Sequence, residues 1–301
     1  MANTLFYTLA SLFTGIYAVK MFWQWLHTPK QKLSILEKLK LIVSGIIAFA
    51  ADTFGVGSFV INVALAKVFR TFPDQQLPAI VNGVQVIPGF ILSLFYVQYI
   101  HVDILTLVTL VTATCLGAII GSLYITKLST QTIRLLMVIG YLLIIATLIC
   151  HHNHWSPDEG ETGLLRGNQL LLGFAAMFVC GALTVSGVGL FISVQAALFM
   201  LNMSVMVVFP IMAIAGAIQQ PLSSWVFLHN RKVPLQKAMW IMIPGCLTVI
   251  ALQPYMFSII VDWLHKALLG ILVFNVIAIG GNFIKDLRQR QPLSKSLKAL
   301  T

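Results

Sequence analysis

Charge is scarce in this 301-residue chain: 9% of the residues are charged and 58% are hydrophobic. A soluble domain carries about 25% charged residues, so this chain cannot cover a water-facing surface. Apolar–polar alternation is also missing. The apolar runs are continuous over about 20 residues, the length a spanning helix needs, which argues against a β-barrel. Nine acidic residues stand against 19 lysines and arginines, for a net charge of +10. The basic residues fall in short loops between apolar runs, as the positive-inside rule produces, and no nucleic-acid partner is expected. The four cysteines, Cys115, Cys150, Cys180 and Cys246, sit in or at the edge of apolar runs without metal-ligand spacing and read as small packing residues. No nucleophile–base set, nucleotide loop or metalloprotease motif is present, so neither enzymatic activity nor a cofactor is expected. CHHNH at 150–154 has no partner acid or cysteine at zinc spacing and reads as a solvated loop.

What remains describes an all-α polytopic membrane protein in a lipid bilayer. Residues 2–24 are apolar, with no basic region before them and no small-residue cleavage site after, and read as an extra N-terminal span, 1–26. A basic stretch, 27–40, leads into a broken apolar segment, 41–70. Full spans are expected near 77–99, 103–126 and 131–150. A polar loop over 151–166 separates the halves. The second half opens on another broken segment, 167–201, followed by spans near 204–228, 235–254 and 263–283, and the chain ends in a basic tail, 285–301. Placing the 151–163 loop outside puts 17 of the 19 basic residues on the cytoplasmic side, leaving Arg166 and Lys266 outside. The expected location is the plasma membrane, with the N-terminus outside and the C-terminus in the cytoplasm.

The halves repeat. HVDILTLVTL from His101 answers KVPLQKAMWI from Lys232, IRLLMVIGYLL from Ile133 answers LHKALLGILVF from Leu264, and Gly55-Val56-Gly57 answers Gly187-Val188-Gly189, at an offset of 131 to 132 residues. The first repeat, 41–150, begins with a segment that starts and ends on the cytoplasmic side. The second, 167–284, begins with one that starts and ends outside. Each unit is a broken helix pair plus three spans, and the two are inverted. Residues 59–69 reach about 16 Å as a helix at roughly 1.5 Å per residue, half a bilayer. That favours a re-entrant hairpin over two short full spans.

Paired glycine-interrupted segments in inverted repeats point to a transporter's binding site, because irregular backbone at membrane depth must be buried or line a polar cavity. A half-helix starting at the midplane offers free N–H groups and a positive dipole end, a ready anion site. Gly55, Val56, Gly57 and Ser58, with Ser186, Gly187, Val188 and Gly189, are therefore candidate substrate-binding residues. The competing explanation for the glycines is close helix packing. Asn82, Gln85, Gln195 and Gln219, with Gln220 beside it, place amides at depth, for substrate contact or for interhelical hydrogen bonding. Asp52 is the only acid deep in an apolar run. It is either a protonated proton carrier or a carboxylate that binds the N–H groups of its own loop. Pro88, Pro210 and Pro221 are expected to kink their helices.

The glycine-rich break, the ALAKVF after it, the downstream LGAIIGSLYITKLSTQTIRLLMVIGYLLI and the degenerate second copy resemble the sulfite exporter TauE/SafE family over about residues 41–284. That resemblance implies a membrane transporter, in several members an exporter, of sulfite, sulfonates or related organic anions. Gly55, Gly57 and Ser58 stand at the family's first glycine-rich turn, and Gly187 and Gly189 at its second. The implied function is secondary transport of a small anion by alternating access, one unit rocking against the other and with proton coupling as an option. An anion channel on the same scaffold is the alternative, with a membrane-embedded enzyme or structural subunit behind it.

Overall fold

The computed structural model describes residues 2–96, 102–152, 162–255 and 261–298. Among these, the chain forms eleven α-helices: α1 (Ala2–His27), α2 (Ile35–Thr53), α3 (Ser58–Phe69), α4 (Leu77–Tyr96), α5 (Ile104–Ile125), α6 (Thr130–His152), α7 (Gly167–Leu183), α8 (Leu190–Met200), α9 (Val205–His229), α10 (Leu235–Leu252) and α11 (Val261–Lys298). Six helical segments within the described residues are long and apolar enough to cross a membrane. Apolar side chains are left exposed along α1, α5, α6, α7, α10 and α11, including Ile16, Val19, Leu123, Leu142, Leu172, Leu247 and Ile277. In water this belt would be a severe liability; against hydrocarbon it costs nothing. The chain is a multi-pass membrane protein.

Two element boundaries differ from expectation. The first broken segment starts at Ile35 rather than 41, because Ser34 caps α2: its hydroxyl accepts the Glu37 N–H at 3.1 Å. Ser34-x-x-Glu37 is the capping-box spacing. Helix α11 does not end with the span expected near 263–283 but runs on through the basic stretch to Lys298. The 151–166 loop falls partly outside the described residues, as do His154 and Asn153 of the CHHNH stretch. From Thr162 onward it is tied down, with Thr162 N–H donating to Asn202 O at 3.1 Å and Ser204 N–H to Thr162 O at 3.0 Å.

Ion pairs identify which helix ends share a side. Asp74, just before α4, accepts from Lys67 near the end of α3 and from Arg134 Nε on α6 at 2.6 Å, and Arg134 also pairs with Asp286 on α11. Lys237 on α10 bridges Glu37 on α2 at 2.7 Å and the Thr71 carbonyl at 3.0 Å. The start of α2 and the end of α3 therefore lie on one side, the Asp74 side, and the α2–α3 pair is a hairpin. On the other side Arg166, before α7, holds Asp103, before α5, with N–O distances of 2.7 and 2.8 Å. The Thr162–Asn202 contact joins the start of α7 to the end of α8. The α7–α8 pair is a hairpin opening on this Arg166 side.

Two hydrophobic cores result, one around α2, α3, α4, α6, α10 and α11, the other around α5, α7, α8 and α9. Each hairpin's long arm is pressed against a helix distant in sequence. A Cβ on Gly45 of α2 would sit 2.2 Å from the Ile241 carbonyl oxygen of α10, and one on Gly245 would sit 2.2 Å from the Phe49 ring. A Cβ on Gly117 of α5 would lie 1.9 Å from the Phe178 carbonyl oxygen of α7, and one on Gly181 would lie 2.2 Å from that of Thr114. These are the small-residue crossings that let membrane helices approach backbone to backbone. Between them α4 packs on α9, and α6 on α11.

Candidate functional site

The two hairpin tips meet in the centre, and their backbones match. Gly55 and Gly187 have φ of 85° and 99°; Gly57 and Gly189 have φ/ψ of 88°/127° and 93°/139°. Those values lie where side chains with a Cβ rarely go, so the sequence identity reflects a shared backbone requirement. A Cβ on Gly55 or Gly57 would meet nothing within 4 Å. At Gly55 and Gly57 conformation therefore wins over packing; at Gly187 and Gly189 the same φ is joined by side-chain neighbours, Met137 at 3.3 Å and Phe59 at 3.4 Å from an added Cβ, while backbone-level close packing is the work of Gly45, Gly117 and Gly181.

The first tip is closed by its own carboxylate. Asp52 is 1% exposed. Its Oδ1 accepts the Ser58 N–H, the first amide of α3, at 3.0 Å, and its Oδ2 accepts the Gln85 Nε2–H at 2.7 Å. The Ser58 hydroxyl in turn donates to Gln85 Oε1. Both carboxylate oxygens face donors, which is the environment of an ionised carboxylate capping a helix end. The geometry supports the second reading of Asp52, a ligand of its own loop. It also means that the α3 end is occupied from within.

The second tip has no such cap. Thr184 stands where the 132-residue offset would place a partner for Asp52, and its hydroxyl donates to Cys180 O at 2.8 Å. Ser186 is likewise bound to its own helix, donating to Leu183 O at 2.6 Å. Gly189 provides no side chain to receive the first amides of α8. Leu190, the first residue of α8, borders a cavity of about 30 Å³ lined also by Phe59, Gln85, Gly89, Ser93, Gly216 and Gln220. That is room for one or two water-sized groups.

Helix α4 ties both tips together. Asn82, three residues before Gln85 and on the same face, donates to the Val185 carbonyl in the second tip at 3.1 Å and to Pro78 O at 2.8 Å. Gln220 on α9 donates to Asn82 Oδ1 at 3.0 Å and Ser224 to Asn82 O at 2.9 Å. Asn82 and Gln85 thus make interhelical bonds, and Gln85 also lines the cavity. Gln219 donates to Gln220 Oε1 at 2.8 Å, so Gln220 rather than Gln219 meets the cavity. Gln195 is half-buried on α8. Val56 and Val188 are not cavity residues but buried core, Val188 lying where a Cβ on Gly140 of α6 would meet it at 2.3 Å.

Sequence reasoning missed the braces. Tyr141 on α6 donates to the Gly187 carbonyl at 3.1 Å, and Asn275 on α11 donates to Val60 O in α3 at 2.8 Å. Asn275 lies in an apolar run, a polar residue at depth of the same kind as Asn82, and that signal was available. No known protein family matches the chain, and no curated protein or solved structure is significantly similar to it.

Proposed function

We propose that this protein is a secondary transporter of a small anion, with sulfite, a sulfonate or a related organic anion as substrate, in the manner of the sulfite exporter TauE/SafE family it resembles. One observation carries the reading. Two glycine-gated hairpins entering from opposite sides meet at the centre, and the uncapped start of α8 borders a cavity lined by the amides of Gln85 and Gln220. Free amides at a helix start suit an oxyanion; Gln85 has a second Nε2–H to add beside the one given to Asp52, whereas Gln220 Nε2 already donates to both Asn82 O and Asn82 Oδ1 and lines the cavity as a brace. The site is thus one-sided: Asp52 takes the first amide of α3 and places its own carboxylate there, and the anion goes to the α8 end.

The matched φ values at an offset of 132 residues, the opposed hairpins and the paired crossings support two inverted repeats, 41–150 and 167–284, extended at the first end to Ile35. The Asp74 side, rich in lysine and arginine, is the cytoplasmic side of the plasma membrane, with α1 beginning outside. Alternating access then moves units different from the sequence repeats. The long arm of each hairpin is locked to a helix of the other repeat, α2 to α10 and α7 to α5, so the rigid bodies are these exchanged pairs, sliding along the α4–α9 contact. The Ser58–Gln85 contact closes the route beyond the cavity, which favours an occluded carrier over an open channel. The single carboxylate in the cluster has both oxygens engaged, which supports binding rather than acid–base chemistry.

The test uses purified protein in liposomes. Flux of sulfite and methanesulfonate should saturate and should accumulate substrate when driven by an imposed gradient. Folded protein that moves no small anion refutes the proposal; flux that never saturates identifies a channel.

A further inference from the structure

Asn62 is the most anomalous side chain in the centre of the molecule. It lies on α3 four residues beyond Ser58 and hence on the same helix face, in a helix whose other interior residues are nearly all apolar. It is 6% exposed, and neither its Oδ1 nor its Nδ2 has a protein partner. Buried polar atoms are almost always paired, so an amide left without a protein partner on both atoms needs a reason. It borders a second cavity, of about 10 Å³, lined also by Ser44 of α2, Thr71 and Phe72 of the α3–α4 connection, Val81 and Val84 of α4, and Ile241 of α10. That is the size of about one water.

The placement of this cavity gives the reason. It borders α4 from Ile80 to Val84, whereas the Gln85–Gln220 cavity borders α4 from Gln85 to Ser93. The two lie along one helix, on either side of the Ser58–Gln85 contact. The second cavity is roofed on the Asp74 side by Thr71 and Phe72, both buried. Lys237 holds that roof through the Thr71 carbonyl, with its ammonium 5.4 Å from the Phe72 ring centre and paired to Glu37.

We infer that Asn62 is a second substrate-binding residue: its cavity is collapsed to the size of one water here, and it holds the anion below the Ser58–Gln85 contact once the cytoplasmic lid formed by Thr71 and Phe72 moves away. This rests on the transporter reading above. The donors there are the Asn62 amide and the Thr71 hydroxyl, both neutral. A neutral station binds an oxyanion more weakly than a charged one and so releases it more readily. Lys237, at the mouth, supplies the charge that draws the anion on when the lid lifts.

Two measurements on the full-length protein test this. Asn62→Leu removes two polar atoms that lack protein partners, so its melting temperature should rise by a few degrees while methanesulfonate flux in liposomes falls at least tenfold. A variant that is stabilised and transports at the wild-type rate overturns the inference. The second uses Asn62→Cys with the four native cysteines replaced, in liposomes. A membrane-impermeant maleimide should label it from the Asp74 side at least tenfold faster when Lys237→Met is added, and methanesulfonate should slow that labelling. A residue-62 thiol that stays unreactive in the Lys237→Met protein, or whose labelling ignores methanesulfonate, overturns it. If the wild-type protein carries no anion the transporter reading fails, and the labelling still reports on the Asn62 station separately.

Discussion

Replacing Asp52 by asparagine and by alanine separates hydrogen bonding from charge. In Asp52→Ala, the Ser58 N–H and the Gln85 Nε2–H both lose their acceptor inside the protein. Each unpaired buried donor costs about 1–3 kcal/mol, and loss of the negative charge at the start of α3 adds roughly 0.3–2 kcal/mol. The expected destabilisation is about 3–6 kcal/mol. In Asp52→Asn the side-chain oxygen still receives Ser58 N–H. If the Gln85 amide turns over, its oxygen accepts from the new Asn Nδ2–H and its Nε2–H donates to the Ser58 hydroxyl oxygen. Only the Ser58 hydroxyl proton is then displaced, and the cost falls to about 1 kcal/mol. The four free thiols lie in the helices, Cys180 buried and the others half-buried, so a maleimide dye that fluoresces on reaction reports unfolding. At about 2–4 °C per kcal/mol for a chain of this size, alanine should lower the melting temperature by roughly 6–24 °C and asparagine by no more than about 4 °C. Any response of flux to a proton gradient should survive in Asp52→Asn. Equal losses in the two variants would show that charge, not hydrogen bonding, holds the tip, and loss of the proton response in the asparagine variant would refute the capping role as the whole account.

Three further outcomes are expected. Gly57→Ala and Gly189→Ala should each cost about 1–3 kcal/mol of strain by the same thermal assay, with closely similar losses because the two φ values agree; a large loss in only one would break the equivalence of the tips. Gly45→Ala places a Cβ against the Ile241 carbonyl, which cannot give way as a side-chain end would, so it should destabilise more than Gly15→Ala, whose Cβ meets nothing; equal melting temperatures would refute the tight crossing. Arg166, foremost among the groups around it, holds the Asp103 carboxyl well below its usual range. Such a carboxylate contributes stability above its unfolded pKa near 4, and that contribution is lost as pH falls towards the lowered folded value. Asp103→Asn should therefore lose less melting temperature than wild type between pH 7 and pH 3, by an amount reduced by salt.

Most spans were legible because hydrocarbon leaves a chain no alternative to satisfying its own backbone: α4, α5, α9 and α10 are span-length apolar helices within a few residues of their expected limits, whereas α1 and α6, expected as spans, are not among the six such segments of the described residues, and 167–188, expected as half of a broken segment, is. The tips were legible for a related reason, since a glycine pair that recurs 132 residues on signals a backbone angle that other residues resist. The role of Asp52 was not decidable from sequence, because its oxygens reach Ser58 across a turn and Gln85 on another helix, and only the fold brings them together. The exchange of arms between the halves left no trace in composition, although Gly45, Gly117, Gly181 and Gly245 were visible as small residues within apolar runs. What set them apart from Gly55 and Gly57 is what each one faces. Asn62 looked like any polar residue in a helix until the side chains around it proved to offer no partner.

The crossing of α2 on α10 also has a consequence in time. The surface that Gly45 packs against is made nearly two hundred residues later in the chain, which at about 5–20 residues per second takes on the order of 10–40 s of synthesis. For that interval the first hairpin stands in the membrane without the helix that clamps it. The α7 arm, by contrast, emerges after its partner α5 is complete and can dock at once. The earlier-made half of this protein is therefore the later one to be finished. An Asp52 that bonds to its own loop and to nearby α4 lets that half wait without leaving a bare carboxylate in the lipid.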